Sequence, residues 1–532
     1  MQMKLKIPRT QKRISMGSVA SLLIASALLS QVLGFLRTKL VNSNFPLIGT
    51  HSTDSYFAAF TIPDFFFYTI SAGALGVAFM PVLADHLARG DRKKMWELVS
   101  SLLNLLSIVM AAVAVIILAF AEPLIRHVVG TGLPPQHVHD AATIMRFLAL
   151  NPLLFTISGI LTATQQSLGR FFFYAIAPLF YNLAIIASIY VFRENIGLVG
   201  LGIGALVGAI LQLLVVALGT IGSGFHWRPI ISWKHQDFKQ VLRNLPPRSL
   251  DQGIDQLESV VETRFASGLG QGNVSYYNNA YTLQTAPIML IGTAISTAIF
   301  PRLNNRLSHG RPDLFRQDFL RILRLIIWIT LPVIVVCFFG RAYLARLIFS
   351  RGSTDIANVF GYLTIAIFFR TVYTIISRWF YAQKDTKTPL YVSVFTIALN
   401  IVLAYMLTRP GGYGVAGLAL AQSIVAAVEV AILCIVMILR DHKLFDLNFI
   451  SGVFRSLSVT GFSLVAGYIT VGLLPLSITD KGVITLGTKL FVIAAVTFLV
   501  HVGISSIFKL EEVRPLWSWV KRILYRPIRV EY

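Results

Sequence analysis

Charge is what this sequence has least of. Only 13% of its 532 residues are Asp, Glu, Lys or Arg, against about 25% in soluble globular chains, which excludes a water-soluble fold of this size. Cysteine is nearly absent. Cys337 and Cys434 both lie inside apolar runs without ligand spacing, so a disulfide framework and a metal site are excluded and two small buried hydrophobes remain. Catalytic signatures are missing as well: there is no nucleotide-binding loop, no GxSxG, no HExxH and no CxxC, and the 10 histidines are scattered, mostly in loops. Neither an enzyme nor a cofactor is expected.

What the chain does have is apolar length, with 55% hydrophobic residues and a mean hydropathy of +0.70. At about 20 residues per span, helices are predicted near 15–37, 53–84, 96–120, 140–165, 171–192, 197–221, 240–268, 274–303, 319–339, 357–382, 388–408, 413–439, 454–474 and 485–507. This is an all-α polytopic membrane protein of about 14 helices. The basic start MQMKLKIPRTQKR precedes an apolar run that continues past twenty residues without a clear small-residue cleavage site, so a retained first helix is expected.

The formal net charge of +22 has a use other than nucleic acid, which is not expected as a partner. With the N-terminus inside, about 29 Lys and Arg fall in cytoplasmic segments and 8 on the opposite side, a bias that holds both termini in the cytoplasm. The tail, with Trp517, Trp519 and Tyr525 among its cations, reads as an amphipathic segment on the inner leaflet, and 340–351 as an interfacial helix on the outer side.

The chain also echoes itself. SYFAAF at 55–60 and SYYNNA at 275–280 stand 220 residues apart, and at that offset Tyr56, Ala78, Pro81 and Leu83 match Tyr276, Ala298, Pro301 and Leu303. Six helices separate the copies, so both enter the membrane in the same direction. Two parallel six-helix lobes are expected, with the working cavity between them. The organisation reads as a segment 1–14, an N-lobe 15–221, a cytoplasmic linker 222–239, a C-lobe 240–439, two further helices over 440–507 and the tail 508–532.

The seventh span, RSLDQGIDQLESVVETR from Arg248 to Arg264, carries four acids. Asp251, Asp255, Glu258 and Glu262 recur at 4, 3 and 4 residues and share an arc of about 60° on a helix. Carboxylates cannot face lipid, so the row lines water or meets partners. Such a row suits ion or proton coupling. Arg146, Arg370 and Arg378 are counter-charge candidates, and Glu429, a lone acid in span twelve, is either paired or near the inner interface. Arg37, at the outer end of span one, is either a snorkelling side chain or an anion contact. Asp54 sits where N-capping is natural, and Asp64, directly after Pro63, is an intramembrane site candidate. Gly73 and Gly76 suit close helix packing.

SQVLGFLR, TDSYFAAFTIPDFF…SAGALGVAFMPVLAD and FYAQKDTKTP at 380–389 resemble the MurJ/MviN family of lipid II flippases, within the multidrug/oligosaccharidyl-lipid/polysaccharide exporter superfamily, over essentially the whole chain. The resemblance implies outward movement of an undecaprenyl-pyrophosphate-linked glycopeptide by alternating access in the cytoplasmic membrane, feeding the cell-wall synthesis machinery. It also implies a lipid-tail groove from the last two helices. It places an arginine at Arg37 and an acid at Asp54, both present, and cavity arginines where this chain has Gln31, Phe67 and Thr282. Phosphate would then rely on Arg37, Arg248 or Arg264. The family's cation site maps onto Glu262, Asn400 and Gln422, with Ala404 where a further polar residue is expected, leaving Na⁺ and H⁺ coupling as alternatives. A cation-coupled exporter of small solutes and a non-transporting scaffold with this fold are the competing functions.

Overall fold

The computed structural model describes residues 16–72, 79–349, 351–477, 479–480, 482–514 and 517, and the side chains of all of these except 16–21, 24, 72, 81, 244, 246–252 and 255. Gly73, Gly76 and most of the amphipathic tail therefore lie outside the described residues. Among those described there is no β-strand, and 11 helices have the length and apolarity to cross a membrane. The remaining three expected spans are also helical: α1 (Met16–Asn44), α2 (Thr53–Phe66) with its continuation, and α9 (Gln236–Gly268). The chain is a polytopic helical membrane protein.

It divides into two compact units. The first comprises the described part of Met1–Asn44 with Ala59–Ile125 and Val138–Gln256. Its helices are α1, most of α2, α3 (Met80–Ala88), α4 (Arg92–Leu124), α5 (Pro135–Leu148), α6 (Asn151–Ser167), α7 (Phe172–Phe192), α8 (Gly200–Thr220) and the start of α9. Span four is two helices rather than one, because Pro152 begins a new helix just after the turn at Ala149–Leu150. Gly200, Gly204 and Gly208 recur every four residues and form the face of α8 that meets α7; a Cβ on Gly208 would lie 2.9 Å from the Tyr181 carbonyl, so only glycine admits this approach. Arg170 closes the end of α8 by donating to the carbonyls of Gly219, Ile221 and Gly222, as a cation should at a helix C-terminus. The segment after α8 is bonded to α4. Asn104 donates to the carbonyls of Arg228 and Ile230 and accepts from Trp227, while Ser100 and Ser101 accept from the amides of Arg228 and Ser232.

The second unit comprises Phe45–Ala58, Arg126–His137 and Leu257–Tyr532. It holds the end of α9, α10 (Asn273–Pro287), α11 (Ala294–Ser308), α12 (Pro312–Phe339), α13 (Arg341–Ile348), α14 (Ser353–Ala382), α15 (Lys387–Leu407), α16 (Val415–Arg440), α17 (Leu447–Leu473) and α18 (Gly482–Ile507). Helix α14 is the centre, packing on α10, α12, α13 and α16. The short α13 forms within 340–351, where an interfacial helix is expected: Tyr343 and Ala345 are buried, and Arg346 donates to the Ser477 carbonyl. Cys337 and Cys434 are free.

The internal echo extends to backbone irregularity. A π-helical turn spans Phe67–Ala72 after α2, and another spans Ile288–Thr293 after α10. The helices before them start at Thr53 and Asn273, and those after them end at Ala88 and Ser308, 220 residues apart in both cases.

Candidate functional site

In the second unit one group of buried polar side chains gathers around Arg370 on α14. Its guanidinium lies 3.4 Å from the Glu429 carboxylate of α16 and 3.8 Å from Glu258 of α9. Ser393 of α15 donates to Glu429 at 2.9 Å. The Asn400 amide nitrogen, also on α15, donates to Glu258 at 2.5 Å and to Glu262 at 3.4 Å. Tyr277 of α10 turns its hydroxyl toward Glu262. Glu258, Glu262, Glu429 and Asn400 are all buried. Three carboxylates and one guanidinium leave negative charge in excess, which a buried site balances with protons or a bound cation.

The expectation for α9 is thus met in part. Glu258 and Glu262 meet partners within the protein rather than lining open water. The side chains of Arg248, Asp251 and Asp255 lie outside the described ones. Arg370 pairs with an acid of the row as expected, and Glu429 is its second partner, one of the two readings open to that acid. Two other counter-charge candidates meet no acid among the described side chains, which do not include those of Asp251 and Asp255. Arg146 is exposed at the end of α5 and pairs with no acid among the described residues, whereas Arg378 sits over the rings of Phe300, at 5.2 Å, and Tyr381, at 5.9 Å. Gln422 is buried with its amide oxygen unpartnered, as is the Asn400 amide oxygen.

The remaining substrate-site candidates are described unit by unit, Arg264 and Asp54 in the second and Arg37 in the first. Arg264 is exposed and donates to the His127 carbonyl at 3.2 Å, which ties α9 to the 126–137 segment of its own unit. Asp54 is fully buried and caps another helix. Its carboxylate accepts from the Gly272 amide at 2.6 Å, the Ser275 amide at 2.8 Å and the Ser275 hydroxyl at 2.7 Å, at the start of α10. Helix N-termini present such unsatisfied amides, so Asp54 acts as a cap supplied from outside α10. Thr282, where the resemblance implies an arginine, donates to Asn278 within its own helix at 2.9 Å.

In the first unit α1 runs to Asn44, so Arg37 stands about 10 Å inside the helix end at 1.5 Å per residue, deeper than an outer-end position. Its charge acts on Asp64. Gln31 is exposed. Phe67 packs edge-to-face on Phe155 at 5.5 Å, and Phe155 packs likewise on Tyr181 at 5.2 Å.

The FYAQKDTKTP loop joins α14 to α15. Asp385 accepts from the amides of Lys387 and Thr388, from the Thr388 hydroxyl and from Arg440. Partial burial pushes its carboxyl up, but the bonds from Thr388 and the Arg440 guanidinium outweigh this and hold it at about 2.

Comparison with known proteins gives this architecture a family. The model of the lipid II flippase MurJ family matches residues 47–491. A protein of Borreliella burgdorferi named probable lipid II flippase MurJ is 24% identical over 84% of this chain and 88% of its own length. The lipid II flippase MurJ of Burkholderia cenocepacia is 26% identical over 76% and 80%. Among solved structures, lipid II flippase MurJ in an inward closed conformation covers 93% of this chain and 100% of its own at a TM-score of 0.78 and 22% identity. An inward-facing multidrug resistance MATE transporter of the MOP superfamily covers 79% and 98% at 0.64 and 16%. With a family model spanning most of its length and the fold in agreement, this chain belongs to the MurJ lipid II flippase family.

Proposed function

We infer that this chain moves lipid II, an undecaprenyl-pyrophosphate-linked glycopeptide, from the inner to the outer leaflet of the cytoplasmic membrane by alternating access. The family match across residues 47–491 carries this reading. A flippase makes and breaks no covalent bond, in keeping with the lack of catalytic motifs. The distribution of Lys and Arg supports cytoplasmic termini, and the transported lipid is then available to cell-wall synthesis outside. Export of small solutes and a scaffold role gain no support from the relatives.

The resemblance implies a monovalent cation at Glu262, Asn400 and Gln422, and the donor set fits one poorly. Asn400 turns amide N–H toward both carboxylates, and Arg370 already supplies positive charge to Glu258 and Glu429. No step is assigned to sodium. The chemistry these groups supply is proton exchange: buried carboxyls short of counter-charge, beside a Tyr277 hydroxyl and an Asn400 amide, take and release protons as access to them alternates.

The test uses purified protein in vesicles with fluorescent lipid II. A proton gradient should accelerate lipid movement, a sodium gradient should not, and Glu262→Gln should abolish the acceleration while the variant remains folded. Equal acceleration by sodium removes the proton assignment. If no gradient moves lipid II, and depletion in cells leaves no precursor accumulating on the inner leaflet, the function itself is wrong.

A further inference from the structure

In the first unit an acid stands close to where the resemblance implies an arginine. Asp64 follows Pro63 inside α2, one turn before the π-helical segment Phe67–Ala72. It is half-buried, and among the described residues no donor reaches its carboxylate and no cation lies within ion-pair distance. Arg37 acts on it only through space. A carboxylate inside a span is costly unless water, an ion or a ligand group meets it.

Its surroundings are aromatic. Phe67 and Tyr68 have ring centroids 5.1 Å apart at 64°, Phe67 and Phe155 are 5.5 Å apart at 62°, and Phe155 and Tyr181 are 5.2 Å apart at 77°. In each edge-to-face pair one ring gives its edge and keeps its electron-rich faces available. Tyr68 is 39% exposed. The backbone here is also built to be irregular: a Cβ on Gly253 would lie 2.8 Å from the Thr69 methyl, so glycine lets α9 pack directly on the π-helical turn. Such turns occur frequently at functional sites. Phe67 and Tyr68 follow Asp64 by three and four residues, about one helical turn, and an acid beside aromatic rings repels phosphate and attracts an ammonium group.

We propose that Asp64, with Phe67, Tyr68 and Phe155, forms an ammonium-binding subsite in the first unit, which receives an amine carried by the transported molecule. That the amine belongs to the peptide of a lipid-linked glycopeptide rests on the flippase reading; the subsite itself does not. Arg37 of α1, whose charge acts on Asp64, competes with the ligand for it.

The experiment titrates the full-length protein in nanodiscs with benzylammonium, and with benzenesulfonate as the anionic counterpart. Benzylammonium should bind better than benzenesulfonate. Asp64→Asn should weaken it at least about tenfold, a loss of about 1.4 kcal/mol, and Asp64→Glu should retain most of it. Phe155→Leu should weaken it a few-fold, the scale of one cation–π contact. Arg37→Gln should tighten it, because the competing cation is gone. Undiminished binding by a folded Asp64→Asn protein, or a preference for benzenesulfonate, overturns the proposal. Lipid II bearing a free or an acetylated amine then tests the cargo: discrimination against the acetylated form supports the assignment, and equal binding of both removes the peptide amine as the ligand. Because benzylammonium carries no pyrophosphate, these results do not depend on whether lipid II is transported.

Discussion

Replacing Arg370 with Met removes the guanidinium from among three buried carboxylates while keeping a long apolar stem. At an effective dielectric of about 20, a unit charge pair at the 3.4 Å separation from Glu429 is worth about 5 kcal/mol, and one at the 3.8 Å separation from Glu258 about 4 kcal/mol. Part of that gain offsets the desolvation of the ions, so a net loss of about 3–5 kcal/mol is expected when one partner of a buried pair is removed. At about 2 °C per kcal/mol for a large domain, the melting temperature of the purified protein in nanodiscs should fall by roughly 6–10 °C. The cause is stranded negative charge rather than lost packing. Arg370→Met combined with Glu429→Gln should therefore recover about half of the loss, the share due to Glu429, since the glutamine can still bond Ser393. A single variant that melts within a degree of the parent, or a double variant no more stable than the single, would show that Arg370 does not balance these acids.

Two further outcomes follow from the polar contacts outside that network. Asp54→Ala strips three hydrogen bonds from the start of α10 and should cost about 2–4 kcal/mol; exchange of the Ser275 amide should rise by about 30-fold or more, and unchanged protection there would remove the capping role. Asp385 has a depressed carboxyl, at about 2, so its contribution is complete above the unfolded value near 4 and is lost as pH falls toward 2. With Arg440 partly exposed the contribution is about 1 kcal/mol. The melting difference between the parent and Asp385→Asn should hold steady above pH 5 and shrink between pH 4 and 2.5, and a difference constant through that range contradicts the assignment.

Much of the fold was legible because apolar runs of about 20 residues and the placement of cations are local properties of a chain. The 220-residue echo was legible for the same reason, as matched residues on matched helices. The pairing of Arg370 with the acids of α9 followed from the cost of leaving either charge alone. What the sequence did not disclose depends on tertiary approach. Asn400 and Glu258 are 142 residues apart, and Asp54 and Ser275 are 221 apart; no spacing rule relates them. Spacing did not show that Arg146 ends at an exposed helix terminus and Arg378 over two rings, because an arginine inside an apolar stretch can satisfy itself in either way as well as against a carboxylate. The π-helical turns leave no compositional trace, although Pro63 and Pro287 precede them.

The connection between α8 and α9 is stitched along α4 at Ser100, Ser101 and Asn104. Backbone continuity through Gly222–Gly224 is therefore not what sets the start of α9 in its place. A cut at those glycines would leave intact every one of the bonds that seat residues 227–232 on α4.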